Sequence, residues 1–141
     1  YAGVALRRQM IDQIGPMDEG YFLYFEDAEY CLRARRHGWL PGQALAARMI
    51  HFKGGSGPVK ELERARKRLP TYLYESRTRF FRQAYGPLGP LAANLLFLAG
   101  RAIANLRRLI GKPAPTANAR EARDIWINIT RPLASHDRGR P

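Results

Sequence analysis

Glu26 and Asp27 stand side by side directly after Tyr21-Phe22-Leu23-Tyr24-Phe25, a run of five large apolar or aromatic residues. Adjacent carboxylates against an aromatic wall suit proton abstraction. Burial raises a carboxylate's proton affinity, and a base that opens a helix has a fixed position. The same two acids, with Glu29, begin a predicted helix whose last turn carries Arg33, Arg35 and Arg36 and whose end is marked by Gly38. Acids first and bases last complement the helix dipole, so capping is an equally physical role for the pair.

The elements around this stretch follow from periodicity and breakers. Val4, Leu6, Met10, Ile11 and Ile14 predict a helix over residues 4 to 14, stopped by Gly15-Pro16. Ala44 to Phe52 reads as a strand, and Pro58 to Tyr85 as helical with a break at Pro70. Residues 91 to 111 predict another helix, and Ile125 to Ile129 is a short apolar run of either type. The first sixty residues have the texture of a mixed α/β domain. Two or three strands, however, cannot bury both faces of a sheet. The missing strands are expected upstream of Tyr1, so the chain is expected to be a piece of a longer protein. Gly54-Gly55-Ser56-Gly57-Pro58 is the strongest breaker cluster and divides an expected catalytic part, 1–57, from a basic helical extension, 58–141.

Composition bounds the alternatives. With 45% hydrophobic residues among 141, the chain is too apolar for disorder, and a single cysteine excludes an internal disulfide framework. No Cys/His cluster has the spacing of a structural zinc site. Polar residues interrupt positions 7 to 13, so the start does not read as a secretory signal. The formal charge of +12 makes an anionic partner the default, and it is unevenly placed: residues 1–59 carry seven Lys/Arg against six acids, residues 60–141 seventeen against six. Leu91, Leu95, Leu98, Ala102, Leu106 and Leu109 recur at spacings of three and four, with Asn94, Arg101, Asn105, Arg108 and Lys112 on the other side. That pattern over 91–112 suits a peripheral membrane contact, and equally an ordinary surface helix. A basic belt from Arg64 to Arg82, interleaved with Tyr72, Tyr74, Phe80, Phe81 and Tyr85, leaves open nucleic acid, anionic lipid, a diphosphate-linked acceptor or a solvated face paired with Glu61, Glu63 and Glu75.

Several ordered elements carry a resemblance: Ala2 to Val4, Arg7-Arg8, Gly15, Asp18-Glu19, Phe22, Glu26-Asp27, Glu29, Arg33, Gly38-Trp39 and finally His51. In this order they resemble the second half of the inverting glycosyltransferases of family 2, and most of all the rhamnosyl- and galactofuranosyltransferase-like enzymes that build cell-envelope polysaccharides. The resemblance covers residues 1 to 57, with a weaker continuation through Ser76 to Arg82 and Tyr85-Gly86.

The resemblance implies an α/β fold, the incomplete half of a GT-A-type, Rossmann-like domain followed by a mostly helical extension. It implies Asp27 as the base that takes the acceptor hydroxyl's proton, with Glu26 binding the acceptor or orienting the base. Trp39 and Tyr24 would face the acceptor sugar or else lie in the core. It implies a divalent metal, Mn2+ or Mg2+, held partly by His51. Lys53, Gly54 and Gly55 would then close over the diphosphate of a nucleotide-sugar donor. A glycan or lipid-linked acceptor follows, as does a place in the cytoplasm, peripheral at the inner face of the cytoplasmic membrane; nucleic acid is not expected. The family's upstream Asp-x-Asp and nucleotide-binding βαβ half have no counterpart in these residues. The polypeptide alone is therefore expected neither to bind nucleotide sugar tightly nor to turn over. The other class of function compatible with the charge is a basic, non-catalytic module for nucleic acid or anionic membrane.

Overall fold

The computed structural model describes residues 3–50 and 58–134. It contains six helices among them: α1 (Arg8–Ile14), α2 (Glu26–Arg36), α3 (Val59–Arg64), α4 (Thr71–Tyr85), α5 (Gly89–Leu109) and α6 (Glu121–Asp124). Where the sequence predicts helix ends, local chemistry sets them. Gly15, at φ 77°, stops α1 and its N–H bonds Ile11 O. At the end of α2, Gly38 N–H bonds Arg35 O and Trp39 N–H bonds Ala34 O, a Schellman closure that needs Gly38 at φ 83°. Pro70 precedes α4 in extended backbone, which separates α3 from α4.

The expected α/β class is overturned. No strand forms among the described residues, so no half of a Rossmann-like sheet is present there and the fold is mainly helical. Residues 44–50, the described part of the expected strand, hold only a turn closed by Ala47 N–H to Ala44 O. Two causes are visible. Ala44-Leu45-Ala46-Ala47 lacks the β-branched side chains that favour a pleat, and no strand among the described residues offers the ladder partners it requires. Its apolar residues lie in the open instead, Leu45 at 86% exposure.

Two small cores result. Met10, Ile14, Tyr30 and Ala34 join α1 to α2, with Leu6, Met17 and Trp39 packed against them. Val59, Leu69, Tyr74 and Ile125 form the second core, flanked by Tyr24, Tyr72, Phe97 and Trp126. Polar bonds complete the second core: Thr78 donates to Ile127 O at 2.9 Å and Asn94 to Ile125 O at 2.9 Å. Arg68 grips Asp124 through two bonds of 2.8 and 3.0 Å. Between the cores runs α4. Arg36 of α2 donates to the Gln83 and Ala84 carbonyls at its C-terminal end.

Candidate functional site

Glu26 and Asp27 occupy the first turn of α2, as the sequence predicts, and the N-cap residue Phe25 makes no side-chain capping bond. The position before them is held by backbone geometry. Tyr24 (φ 69°) and Phe25 (φ 68°) are both left-handed, a conformation that costs a bulky residue about 1–3 kcal/mol and persists only where the surroundings enforce it. Those surroundings are aromatic: Tyr24 stacks on Tyr72 with centroids 6.3 Å apart, Phe25 lies 5.5 Å from Phe80, and Phe22 meets the Tyr72 ring edge-on at 5.3 Å. Ser76 of α4 donates to Leu23 O at 3.0 Å, pinning the same turn from beneath.

A second anchor lies seven residues upstream of the turn's end. The Asp18 carboxylate accepts two bonds of 2.9 Å and one of 3.0 Å from Arg79, one of 2.7 Å from Gln83 and one of 2.8 Å from Gly20 N–H. Tyr21 donates to Gln83 Oε1 at 2.6 Å. Partial burial pushes the Asp18 carboxyl up, but the bonds from Gln83, Gly20 and Arg79 outweigh it and hold the group below its ordinary value of 3.8. Burial, reinforced by the Glu29 charge, drives the Tyr21 hydroxyl well above its ordinary value, so it stays a donor. Nothing in the local sequence announces this anchor, because Asp18 and Arg79 are 61 positions apart. An Asp followed much later by an Arg-rich helix is its only trace.

Of the three acids in this turn, Glu29 is committed to structure. It is buried and bonded by Arg33 at 2.9 and 3.1 Å, while Arg33 also donates to Ile14 O and Pro16 O. Asp27 is half-buried, and its Oδ1 accepts from Ala28 N–H at 2.8 Å. The Glu26 Oε2 atom is buried with no hydrogen-bond partner among the described residues. A buried oxygen in that condition carries the cost of an unmade hydrogen bond.

The aromatic residues assigned to an acceptor go to two places. Tyr24 packs on the second core, beside the acidic pair in sequence. Trp39 packs on the first core, donates to Gln13 at 2.7 Å, and lines a groove of about 620 Å³ with Arg7, Tyr30, Cys31 and Pro41. His51, Lys53, Gly54 and Gly55, assigned to the metal and the diphosphate, lie outside the described residues. No group of three His, Cys, Asp or Glu side chains capable of holding a metal ion exists among the described residues. The described residues by themselves do not make up a complete metal site.

Comparison with known proteins gives partial matches. The chain is 33% identical over 72 residues to the N-acetylglucosaminyl-diphospho-decaprenol L-rhamnosyltransferase of Mycobacterium tuberculosis, covering 49% of this chain and 23% of that protein. It is 37% identical over 46 residues to the low-salt glycan biosynthesis hexosyltransferase Agl10 of Haloferax volcanii, covering 33% of this chain and 15% of the relative. The chain therefore spans less than a quarter of the length of these curated relatives. Part of it is similar to glycosyltransferases. No protein-family model and no solved structure matches the chain.

Proposed function

We propose that this chain supplies the acceptor-side element of an inverting glycosyl transfer from a nucleotide-diphosphate sugar to a glycan or lipid-linked hydroxyl. The observation that carries the reading is the Glu26–Asp27 pair, presented by two consecutive left-handed aromatic residues and including a buried, unpartnered carboxylate oxygen. Backbone strain of that kind accumulates where geometry serves a ligand. The partial similarity to two sugar transferases supports the same class.

In this reading Glu26 accepts a hydrogen bond from the acceptor sugar and orients it. Asp27 takes the proton from the attacking hydroxyl as that oxygen bonds to the anomeric carbon. The bond from that carbon to the nucleoside diphosphate breaks on the opposite face, and its electron pair leaves with the phosphate. A positioned base contributes about 10²–10⁴-fold to such a step. In the full-length protein that carries this chain, Asp27→Asn is expected to lower transfer at least about 100-fold. The circular dichroism spectrum and melting temperature are expected to stay as they were. Transfer within a few-fold of the parent, from a folded Asp27→Asn protein, would overturn the reading.

A further inference from the structure

The helix α5 buries a polar side chain, with Phe97 and Leu98 packed on the second core, and leaves a long row of apolar side chains in the open. One polar residue of the helix is turned inward: Asn94 is 0% exposed, donating to Ile125 O and accepting from Arg77 at 2.6 Å. Pro90 and Ala104, four before and ten after it, are buried on the same side. Most of the apolar row faces out. Leu88, Leu95, Leu96, Ile103, Leu106 and Leu109 are all exposed, Leu96 at 74% and Leu109 at 83%. Their spacings of seven, one, seven, three and three place them on one continuous face along the whole helix.

Charge says what covers this face. From Ser76 to Arg120 there is no Asp or Glu, and beyond Arg77 and Arg79, which are engaged by Asn94 and Asp18, the segment carries Arg82, Arg101, Arg107, Arg108, Lys112 and Arg120. Arg107 and Arg108 occupy the last turn of α5 and are exposed. An apolar stripe on an acid-free, Arg-rich segment matches a surface that is apolar beneath and anionic above. No single helix among the described residues is long and apolar enough to cross a membrane. At 1.5 Å per residue the 21 residues of α5 extend about 31 Å, and Arg101 and Asn105 interrupt the second half.

We propose that the outward face of α5 docks on an anionic lipid surface, with the helix lying flat at the interface and Arg107 and Arg108 pairing with headgroup phosphates. This inference stands apart from the sugar-transfer reading, because none of its residues belongs to the Glu26–Asp27 element.

The test is co-sedimentation of the full-length protein with vesicles of phosphatidylcholine alone and of phosphatidylcholine mixed with phosphatidylglycerol. Binding is expected to the mixed vesicles and to be at least about tenfold weaker to the neutral ones. The Leu95→Ser/Leu106→Ser double variant is expected to abolish it. Both positions are exposed, so its melting temperature should match the parent's. Arg107→Gln/Arg108→Gln should weaken binding about 25-fold, from roughly fivefold per charge. Asp27→Asn should leave it unchanged, which separates failure of this inference from failure of the transfer reading. Three results would each overturn the proposal. One is no pelleting with either vesicle. Another is pelleting indifferent to the leucine substitutions. The third is a leucine-dependent dimer in gel filtration from a protein that ignores lipid.

Discussion

Asp18 is the residue on which the presentation of the acidic pair depends, since its carboxylate ties the 17–25 loop to Arg79 and Gln83 of α4. Charge-assisted bonds to a part-buried carboxylate contribute about 1.5–3 kcal/mol, so Asp18→Asn is expected to lower stability at pH 7 by about 2 kcal/mol. The pH dependence has a definite sign. The folded carboxyl titrates below the ordinary 3.8, so its contribution is complete above that value and is lost as pH falls through the lower folded value. Acid unfolding followed by circular dichroism should therefore be steeper in the parent than in Asp18→Asn; equal slopes would contradict the assignment. Glu26 should behave in the opposite sense. Removing a buried, unpartnered oxygen relieves a cost of about 1–3 kcal/mol, so Glu26→Met is expected to hold or raise the melting temperature while transfer falls. A Glu26→Met protein that melts earlier would mean the carboxylate is structural. The acidic pair and its helix were legible in the sequence because capping and dipole rules act over a few residues. The Asp18–Arg79 anchor was not, because no local rule reports a contact between distant positions.

At the scale of elements, the approach of α5 to α4 is set by one glycine and left open at another. A Cβ on Gly89 would sit 2.1 Å from Phe81 O, a backbone atom that cannot step aside without moving α4. At Gly100, also within α5, a Cβ would meet nothing within 4 Å. The same substitution should then have opposite signs in one helix. Gly89→Ala is expected to cost about 1–3 kcal/mol through overpacking, and Gly100→Ala to add up to about 1 kcal/mol through helix propensity. Urea melts of the two variants check both signs. Boundaries such as Gly15, Gly38 and Pro70 were readable because each breaks the backbone by itself. The direction in which α5 turns its stripes was not. Amphipathicity fixes two faces but not what is buried, and here Arg77 and Ile125 hold Asn94 of the polar face inward through specific hydrogen bonds. The strand expected over 44–52 is missing from its described part, 44–50, for a related reason: a strand exists only with a partner, and its own residues do not say where that partner is.

The whole molecule combines two small cores with a large unbalanced charge. Among the described residues much apolar surface is left outside the cores, along α5 and at Leu40, Leu45 and Ile50. Hydrophobic burial that is modest for the chain's size leaves electrostatics with more than its usual share of the balance. Ion pairs such as Arg79–Asp18 and Arg68–Asp124 favour the fold, but a net +12 repels itself over distances comparable with the screening length. The two effects respond to salt in opposite ways. The pairs are short and partly shielded from solvent, so added salt weakens them little, whereas the long-range repulsion between the Arg-rich segments is screened strongly. Raising sodium chloride from low to physiological ionic strength is thus expected to raise the melting temperature, by roughly 4 °C if about 1 kcal/mol of repulsion is removed. Differential scanning calorimetry at both salt concentrations decides it, and a melting temperature that falls with salt would show that the pairs, not the repulsion, govern the stability of the molecule.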